Sequence, residues 1–169
     1  ELPDDPQKRG ETKPDFESMT YLPVGVLNYM LVLPSGSKHN RMTGALFNLD
    51  KFSSTPLDVS GLYKKLAEEI PQLNIEGVAI NETSVVLFQR GNGPESFNAM
   101  VYLDKNKVLS ELPSGKLSAQ SFTRQFRIDL GEVEKTRLTF SDAKYVAKEG
   151  FYYLASAEAE STSTTNGKI

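Results

Sequence analysis

The sequence predicts an all-β fold: a β-propeller segment of about three blades of antiparallel strands, with one short helix in an inter-blade connection. Two observations carry this prediction. A motif made of an acidic residue, a short strand, a tight turn, an apolar strand and a polar loop occurs three times, and such self-similarity is typical of repeat architectures. In addition, apolar residues follow strand patterns in most segments, and only one segment follows a helical pattern.

The three repeats are aligned on Glu17, Glu76 and Asp142. These acids stand in the segments DFESMTYL, NIEGVAI and FSDAKYV, which begin at residues 15, 74 and 140. Glu76 precedes Arg90 in the next polar loop by 14 residues, and Asp142 precedes Ser156 by the same 14 residues. The first repeat is four residues longer, and we place that insertion in its Pro-Val-Gly turn.

The repeat spacing indicates how the chain is divided. The repeat starts are 59 and 66 residues apart, whereas a blade of four antiparallel strands needs roughly 40 to 50 residues, so each repeat is expected to be a blade with an insertion. The predicted units are residues 15–73, 74–139 and 140–169, which form one domain behind an extended N-terminal arm at 1–14. Because propellers have about four to eight blades, we expect a second chain or a missing segment to complete the ring.

Further strands follow each repeat motif. Apolar runs after the tight turns predict the second strands, and the segments after the polar loops predict the third strands. An alternating pattern at 122–130 predicts the outer strand of the second unit. The remaining predicted strands are 29–33 and 44–49 in the first unit, 84–88 and 99–103 in the second, and 151–154 in the third.

One helix is predicted in the connection between the first two units. Asp58 or Ser60 supplies the cap, and Leu62, Leu66 and Ile70 recur at four-residue spacing until a proline interrupts the pattern. The segment DKNK at 104–107 is interpreted as a turn.

Composition excludes several classes of function. The chain has 169 residues, of which 38% are hydrophobic, so it can bury a core. Its net charge of −3 lacks the basic excess that favours nucleic-acid binding. There is no cysteine, which excludes disulfides and thiolate metal sites. No stretch approaches the ~20 apolar residues of a membrane span, so a soluble protein is expected, and the periplasm, secretion and the cytoplasm all stay open as locations.

The repeat motifs also resemble a known group of proteins. The segments DFESMT at 15–20 and NIEGVA at 74–79 resemble the blade openings of bacterial propeller proteins related to the esterase-like phytases and the SdiA-regulated proteins. The loops LPSGS at 33–37 and FQRGN at 88–92 are similar to those of one uncharacterised bacterial family in that group. The resemblance spans residues 14–169 and implies a propeller fold. By analogy with gluconolactonase-type and paraoxonase-type propellers, it also implies a calcium ion in the central channel.

The repeated acids are the candidate site. Residues at the start of the innermost strands converge on a propeller axis, so Glu17, Glu76 and Asp142 are expected to form one ring. Carboxylates this close repel one another unless a cation or an arginine lies between them. The ring is therefore interpreted as a metal site with these three ligands and Ca²⁺ as the cofactor, as a carboxylate–arginine network, or as acids that accept backbone hydrogen bonds from the neighbouring blade, which is the favoured reading. The other residues of this polar axial site are Ser37, Arg41, Arg90, Asn92 and Glu158.

These observations favour a binding or scaffold module with a polar, acid-lined axial site. The alternative is a metal-dependent hydrolase of a lactone, ester or phosphoester that uses water activated at the ion. No catalytic residue stands out, because the lone histidine has no arrangement typical of a hydrolase around it.

Overall fold

The computed structural model describes residues 4–5, 8 and 11–158, and these residues form three antiparallel sheets and two short helices. The prediction of an all-β fold with three units of antiparallel strands is confirmed. In the first two sheets the strands pair with their sequence neighbours. Sheet 1 contains β1 (Phe16–Val24), β2 (Leu27–Pro34), β3 (Thr43–Asn48) and β4 (Ser53–Asp58); sheet 2 contains β5 (Ile75–Ile80), β6 (Ser84–Gln89), β7 (Ala99–Asp104) and β8 (Phe122–Arg127); sheet 3 contains β9 (Glu132–Val133), β10 (Thr136–Val146) and β11 (Gly150–Ala157).

Sheet 2 lies between the other two sheets. Side chains alternate across a strand, and in β6 Val85 and Leu87 belong to the main core shared with sheet 1, whereas Val86 and Phe88 belong to a second core shared with sheet 3. The uninterrupted apolar run of β6 follows from this, because both faces of its sheet are buried. The rings of Phe88 and Phe140 meet edge to face at 5.2 Å and join sheet 2 to sheet 3.

Helix α1 (Ser60–Ala67) closes the main core between sheets 1 and 2. The carboxylate of Asp58 accepts a hydrogen bond from the backbone N–H of Ser60 at 2.9 Å, and this bond holds the pKa of Asp58 below its usual range. Leu62 and Leu66 are buried in the helix and Ile70 is buried beyond its end, as the apolar spacing predicted. No helix among the described residues is long and apolar enough to cross a membrane.

A second helix was not predicted. Residues 104–107, interpreted as a turn, include the start of α2 (Lys105–Glu111), where Asp104 caps the helix by accepting a hydrogen bond from the Lys107 N–H at 3.0 Å. Only Val108 of this helix is buried, so the sequence carries a cap signal but no apolar stripe. Two 3₁₀ turns follow, at Leu112–Ser114 and Ala119–Ser121.

Three other boundaries differ from the sequence predictions. In the arm predicted as extended, Lys8, Glu11 and Thr12 are helical, and the Thr12 hydroxyl donates to the carbonyl of Lys8 at 3.0 Å. The predicted Pro-Val-Gly turn is placed two residues too early: β1 continues through Val24, and the turn is made at 25–26, where Gly25 has a φ of 60°. The extra length of the first unit is therefore a longer hairpin. The end of the third unit at 159–169 lies outside the described residues.

Tyr63 connects α1 to the end of β2. Its side chain is fully buried, and its hydroxyl donates to the carbonyl of Pro34 at 2.8 Å. Burial also raises the pKa of this phenol far above its ordinary value. The ring fills the space above Gly36, where an added Cβ would lie 2.5 Å from a ring carbon.

We predict that Tyr63→Phe lowers the free energy of unfolding by about 1–2 kcal/mol, because a buried carbonyl loses a donor while the packing of the ring is kept. Urea denaturation followed by circular dichroism measures this change. Tyr153→Phe is the matched control, since the Tyr153 ring is half exposed and its hydroxyl makes no hydrogen bond within the described residues. Equal stability of the two variants would contradict the assigned role of the Tyr63 hydroxyl.

Candidate functional site

The innermost strand of each sheet carries a β-bulge near its start. Phe16 pairs with Pro34 while Ser18 pairs with Leu33, which leaves Glu17 as the extra residue in β1. The register of β5 shifts in the same way between Ile75 and Gly77, and that of β10 shifts between Phe140 and Asp142. The three bulged residues are Glu17, Glu76 and Ser141.

The alignment of Asp142 with Glu17 and Glu76 is therefore wrong by one residue. The structural equivalent of the two glutamates is Ser141, and Asp142 takes the position of Ser18 and Gly77. The matching distance of 14 residues arose because the third hairpin is one residue pair longer than the second. The longer hairpin compensated for the misplaced acid in the count.

The three inner strands lie side by side, with β1 and β10 on opposite sides of β5. Gly77 permits the close approach of β5 to β10, since a Cβ at this position would lie 3.1 Å from the backbone nitrogen of Ala143. A cavity of about 290 Å³ opens between Glu17 and Ser18 on β1 and Ser141 and Asp142 on β10. We call this space the axial cavity.

Glu17 is an uncompensated acid at the axial cavity. Partial burial raises the pKa of its carboxyl group, and the neighbouring charges of Asp15 and Glu76 raise it further. Within the described part of the chain, no lysine or arginine lies at ion-pair distance from it. The hydroxyl of Ser18, which lines the same cavity, is buried and has no hydrogen-bond partner. The cavity thus presents unsatisfied oxygen atoms.

Glu76, by contrast, is paired. Arg90 contacts its Oε1 at 3.4 Å and the carboxylate of Glu158 at 2.6 Å, while its Nε donates to the Thr139 hydroxyl at 3.2 Å. Asn74 also donates to Glu76 at 2.9 Å. Burial nevertheless raises the pKa of Glu76 above its ordinary value, because desolvation outweighs the attraction of Arg90. Arg90 joins sheet 2 to sheet 3 through this cluster.

Arg41 pairs with an acid that the sequence had not singled out. Its guanidinium lies 2.7 Å from the carboxylate of Asp15, which also accepts from the Ser35 hydroxyl at 2.8 Å. Burial alone would raise the pKa of Asp15, but the hydrogen bonds from Ser35 and Lys13 and the charge of Arg41 together lower it. Asp15 has a φ of 56°, a conformation that aspartate tolerates better than most residues. Arg41 also donates to the Ser37 hydroxyl at 2.6 Å.

Asn92 lines a different space from Glu17. It faces a polar cavity of about 510 Å³ between sheets 2 and 3, together with Arg137, Thr139 and Glu158. The backbone carbonyls of Gly91 and Ser96 accept hydrogen bonds from Arg137, at 3.3 and 2.9 Å. The predicted axial residues therefore divide into the axial cavity, the Arg90 cluster with its adjoining cavity, and the Arg41 cluster.

Asn98 is a buried polar residue that the sequence reasoning missed. Its side-chain oxygen accepts from the backbone N–H of Gly91 at 2.9 Å and of Phe140 at 3.4 Å, and its amide donates to the carbonyl of Leu138 at 2.8 Å. These bonds tie the second unit to the third. The only signal in the sequence was an asparagine directly before the apolar strand β7, and turn residues are common there.

Carboxylate–arginine pairing is thus present at two of the predicted positions, Arg41 and Arg90. Among the described residues, no three His, Cys, Asp or Glu side chains are grouped as metal ligands. Two acids, Glu17 and Asp142, face the axial cavity together with two serine hydroxyls.

Residues 4–169 match a family of unknown function, DUF6929, and the chain belongs to that family. No curated protein and no solved structure matches the chain. The closer likeness to the esterase-like phytases and SdiA-regulated proteins stays a prediction. The family brings no activity with it, so the function has to be argued from the site.

We predict that Arg90→Gln costs about 3 kcal/mol of unfolding free energy near neutral pH, because it leaves the half-buried Glu76 carboxylate without its cation. The loss should shrink near about pH 4, where protonation removes the uncompensated charge. Urea denaturation of Arg90→Gln, Glu76→Gln and the double variant measures the coupling between the two side chains. Additive effects in this cycle would show that the pair contributes nothing as a pair.

Glu17 should show the opposite sign from an ordinary surface acid. Its folded-state pKa is raised, so its contribution to stability is greatest below the unfolded pKa of about 4.5 and is lost as the pH rises through the folded pKa. We therefore predict that Glu17→Gln raises Tm near about pH 7 and that the gain disappears near about pH 4.

Glu82→Gln is the matched control for Glu17→Gln. A backbone N–H and the Tyr145 hydroxyl lower the pKa of Glu82, so this acid stabilises the fold above its unfolded pKa and loses that effect as the pH falls. Its removal should leave Tm unchanged or lower near about pH 7. A fall in Tm of the same size for both variants would refute the electrostatic account of Glu17.

Proposed function

We propose that this DUF6929 protein is a binding module of the β-propeller type that holds a divalent cation in its axial cavity. The observation that carries the proposal is the combination of an uncompensated acid, Glu17, with the buried and unpartnered hydroxyl of Ser18 in one cavity. Every buried polar group of this kind costs free energy unless it finds a partner.

The arrangement of the sheets supports a propeller. Three antiparallel sheets stack face to face, their first strands are neighbours, and each first strand has its bulge at the same position. In a propeller the first strand of each blade lines the central channel. Sheet 3 exposes Tyr152 and Leu154, with 66% of Leu154 accessible to solvent. We propose that a further sheet covers this face, supplied by a second chain or by polypeptide outside this sequence.

The chemistry of the axial cavity favours a hard cation. Its lining groups are the carboxylates of Glu17 and Asp142 and the hydroxyls of Ser18 and Ser141. Calcium binds six to eight oxygen atoms and takes carboxylates, hydroxyls and water together. A bound cation would also lower the pKa of Glu17, because an opposite charge favours the ionised carboxyl group.

The geometry changes the ligand set predicted from the sequence. Glu76 is committed to Arg90 and Asn74, so it serves as a neighbour that adds negative potential. Glu17 and Asp142 are the two acids that face the cavity, and Ser141 takes the ring position predicted for Asp142. The residue to test is therefore Glu17.

We predict that about 1 mM CaCl₂ raises the Tm of the protein near neutral pH, because a ligand bound only by the folded state stabilises it. At ten times the Kd the gain is about 1.4 kcal/mol, or roughly 3–6 °C for a domain of this size. Differential scanning fluorimetry measures the shift. Glu17→Gln should remove it, and Glu82→Gln, which lies away from the cavity, should keep it.

Absence of a calcium shift in the unmodified protein, or an equal shift in Glu17→Gln, would defeat the cation proposal. The hydrolase alternative needs the same ion to activate water. The titration therefore tests the premise of both functions, and only a positive result justifies a panel of ester, lactone and phosphoester substrates.

A further inference from the structure

A second cavity, of about 540 Å³, lies between sheet 1 and the segment that follows α2. It is distinct from the axial cavity and shares no lining residue with it. One wall is the face of sheet 1 turned toward sheet 2, where Tyr29 pairs with Asn48 in the strand register. The other wall is formed by Leu109, Leu112 and Pro113. We call this space the rim cavity.

The rim cavity is an apolar continuation of the main core. Val24, Tyr29, Leu46 and Leu109 line it and also pack against the buried core residues. Leu112 at its base is buried. Its volume falls within the range of roughly 300–1,000 Å³ that is usual for small-molecule sites, which combine an apolar lining with a few polar groups.

Lys51 is the one charged residue that lines the rim cavity. Its ammonium group makes no ion pair or hydrogen bond within the described part of the chain. The neighbouring Asn48 is already committed, because its side-chain oxygen accepts the backbone N–H groups of Asp50 and Lys51 at 3.0 and 2.9 Å. Asp50 in turn accepts two hydrogen bonds from Asn28. Lys51 is left as a free cation beside an apolar space.

We infer that the rim cavity binds a small amphipathic monocarboxylate, with its apolar body among Tyr29, Leu46 and Leu109 and its carboxylate at Lys51. The apolar body supplies most of the affinity through burial of hydrocarbon surface. Lys51 supplies the preference for an anion over a neutral molecule of the same length. This ligand site lies beyond the proposed cation site and does not depend on it.

The experiment titrates the full chain with decanoate and with decan-1-ol, which share an alkyl chain and differ in the charged head. Amide chemical shifts in ¹H–¹⁵N spectra report both the affinity and the location. We expect saturable decanoate binding, with the largest shifts around residues 46–55 and 109–115. Lys51→Met should weaken decanoate binding about 5-fold, the effect of roughly 1 kcal/mol for a solvent-accessible ion pair, and leave decan-1-ol binding unchanged.

Two further variants complete the test. Lys64→Met removes an exposed lysine of α1 away from the cavity and should change neither affinity. Leu109→Trp fills the cavity and should abolish binding of both ligands, and its indole is the only tryptophan of the chain, so its fluorescence shows whether it is buried. Lack of saturable binding, unchanged decanoate affinity in Lys51→Met, or shifts confined to the exposed face of β11 would overturn the inference.

Discussion

The burial of both faces of sheet 2 is the constraint on which the rest of the structure depends. A β-sheet covered on two sides needs apolar residues at consecutive positions, and β6 supplies them from Val85 to Phe88. Sheet 1 with α1 covers one face, and sheet 3 covers the other. Because the two cores share no buried residue, sheet 2 is the only element that transmits mechanical order from the first unit to the third within the described chain.

Stacking sheets in this way brings backbone ends and polar loops together at the inner strands, where water is partly excluded. Groups buried there need partners. The chain meets this need with side chains that cross between units: Arg90 reaches Thr139, and Asn98 binds backbone groups on both sides of the junction between sheets 2 and 3. Much of the polarity near the inner strands is therefore structural. Glu17 and Ser18 stand out because the same accounting leaves them without partners.

Much of the fold could be predicted from the sequence, because strand alternation, apolar runs and turn residues are local signals. The helix at Leu62 and Leu66 was visible for the same reason. Helix α2 was missed, since only Val108 is buried and a seven-residue helix leaves almost no periodicity. The site was harder. A bulge adds one residue to a strand without any mark in the sequence, and in the third unit this was enough to align Asp142 with the wrong neighbours. The pairing of Arg41 with Asp15 depends on a backbone conformation at Asp15 that no spacing reveals.

The shared bulge also separates folding from chemistry. At Glu17, Glu76 and Ser141 the backbone geometry is the same, while the side chains are a free acid, a paired acid and a hydroxyl. The extra residue of a bulge stands outside the ladder of pairs, so the ladder places few demands on its side chain. Each unit therefore offers one position whose identity can drift without a redesign of the sheet. A family built on this plan could exchange one ligand for another through substitutions at a few such positions, while every apolar residue beneath them stayed the same.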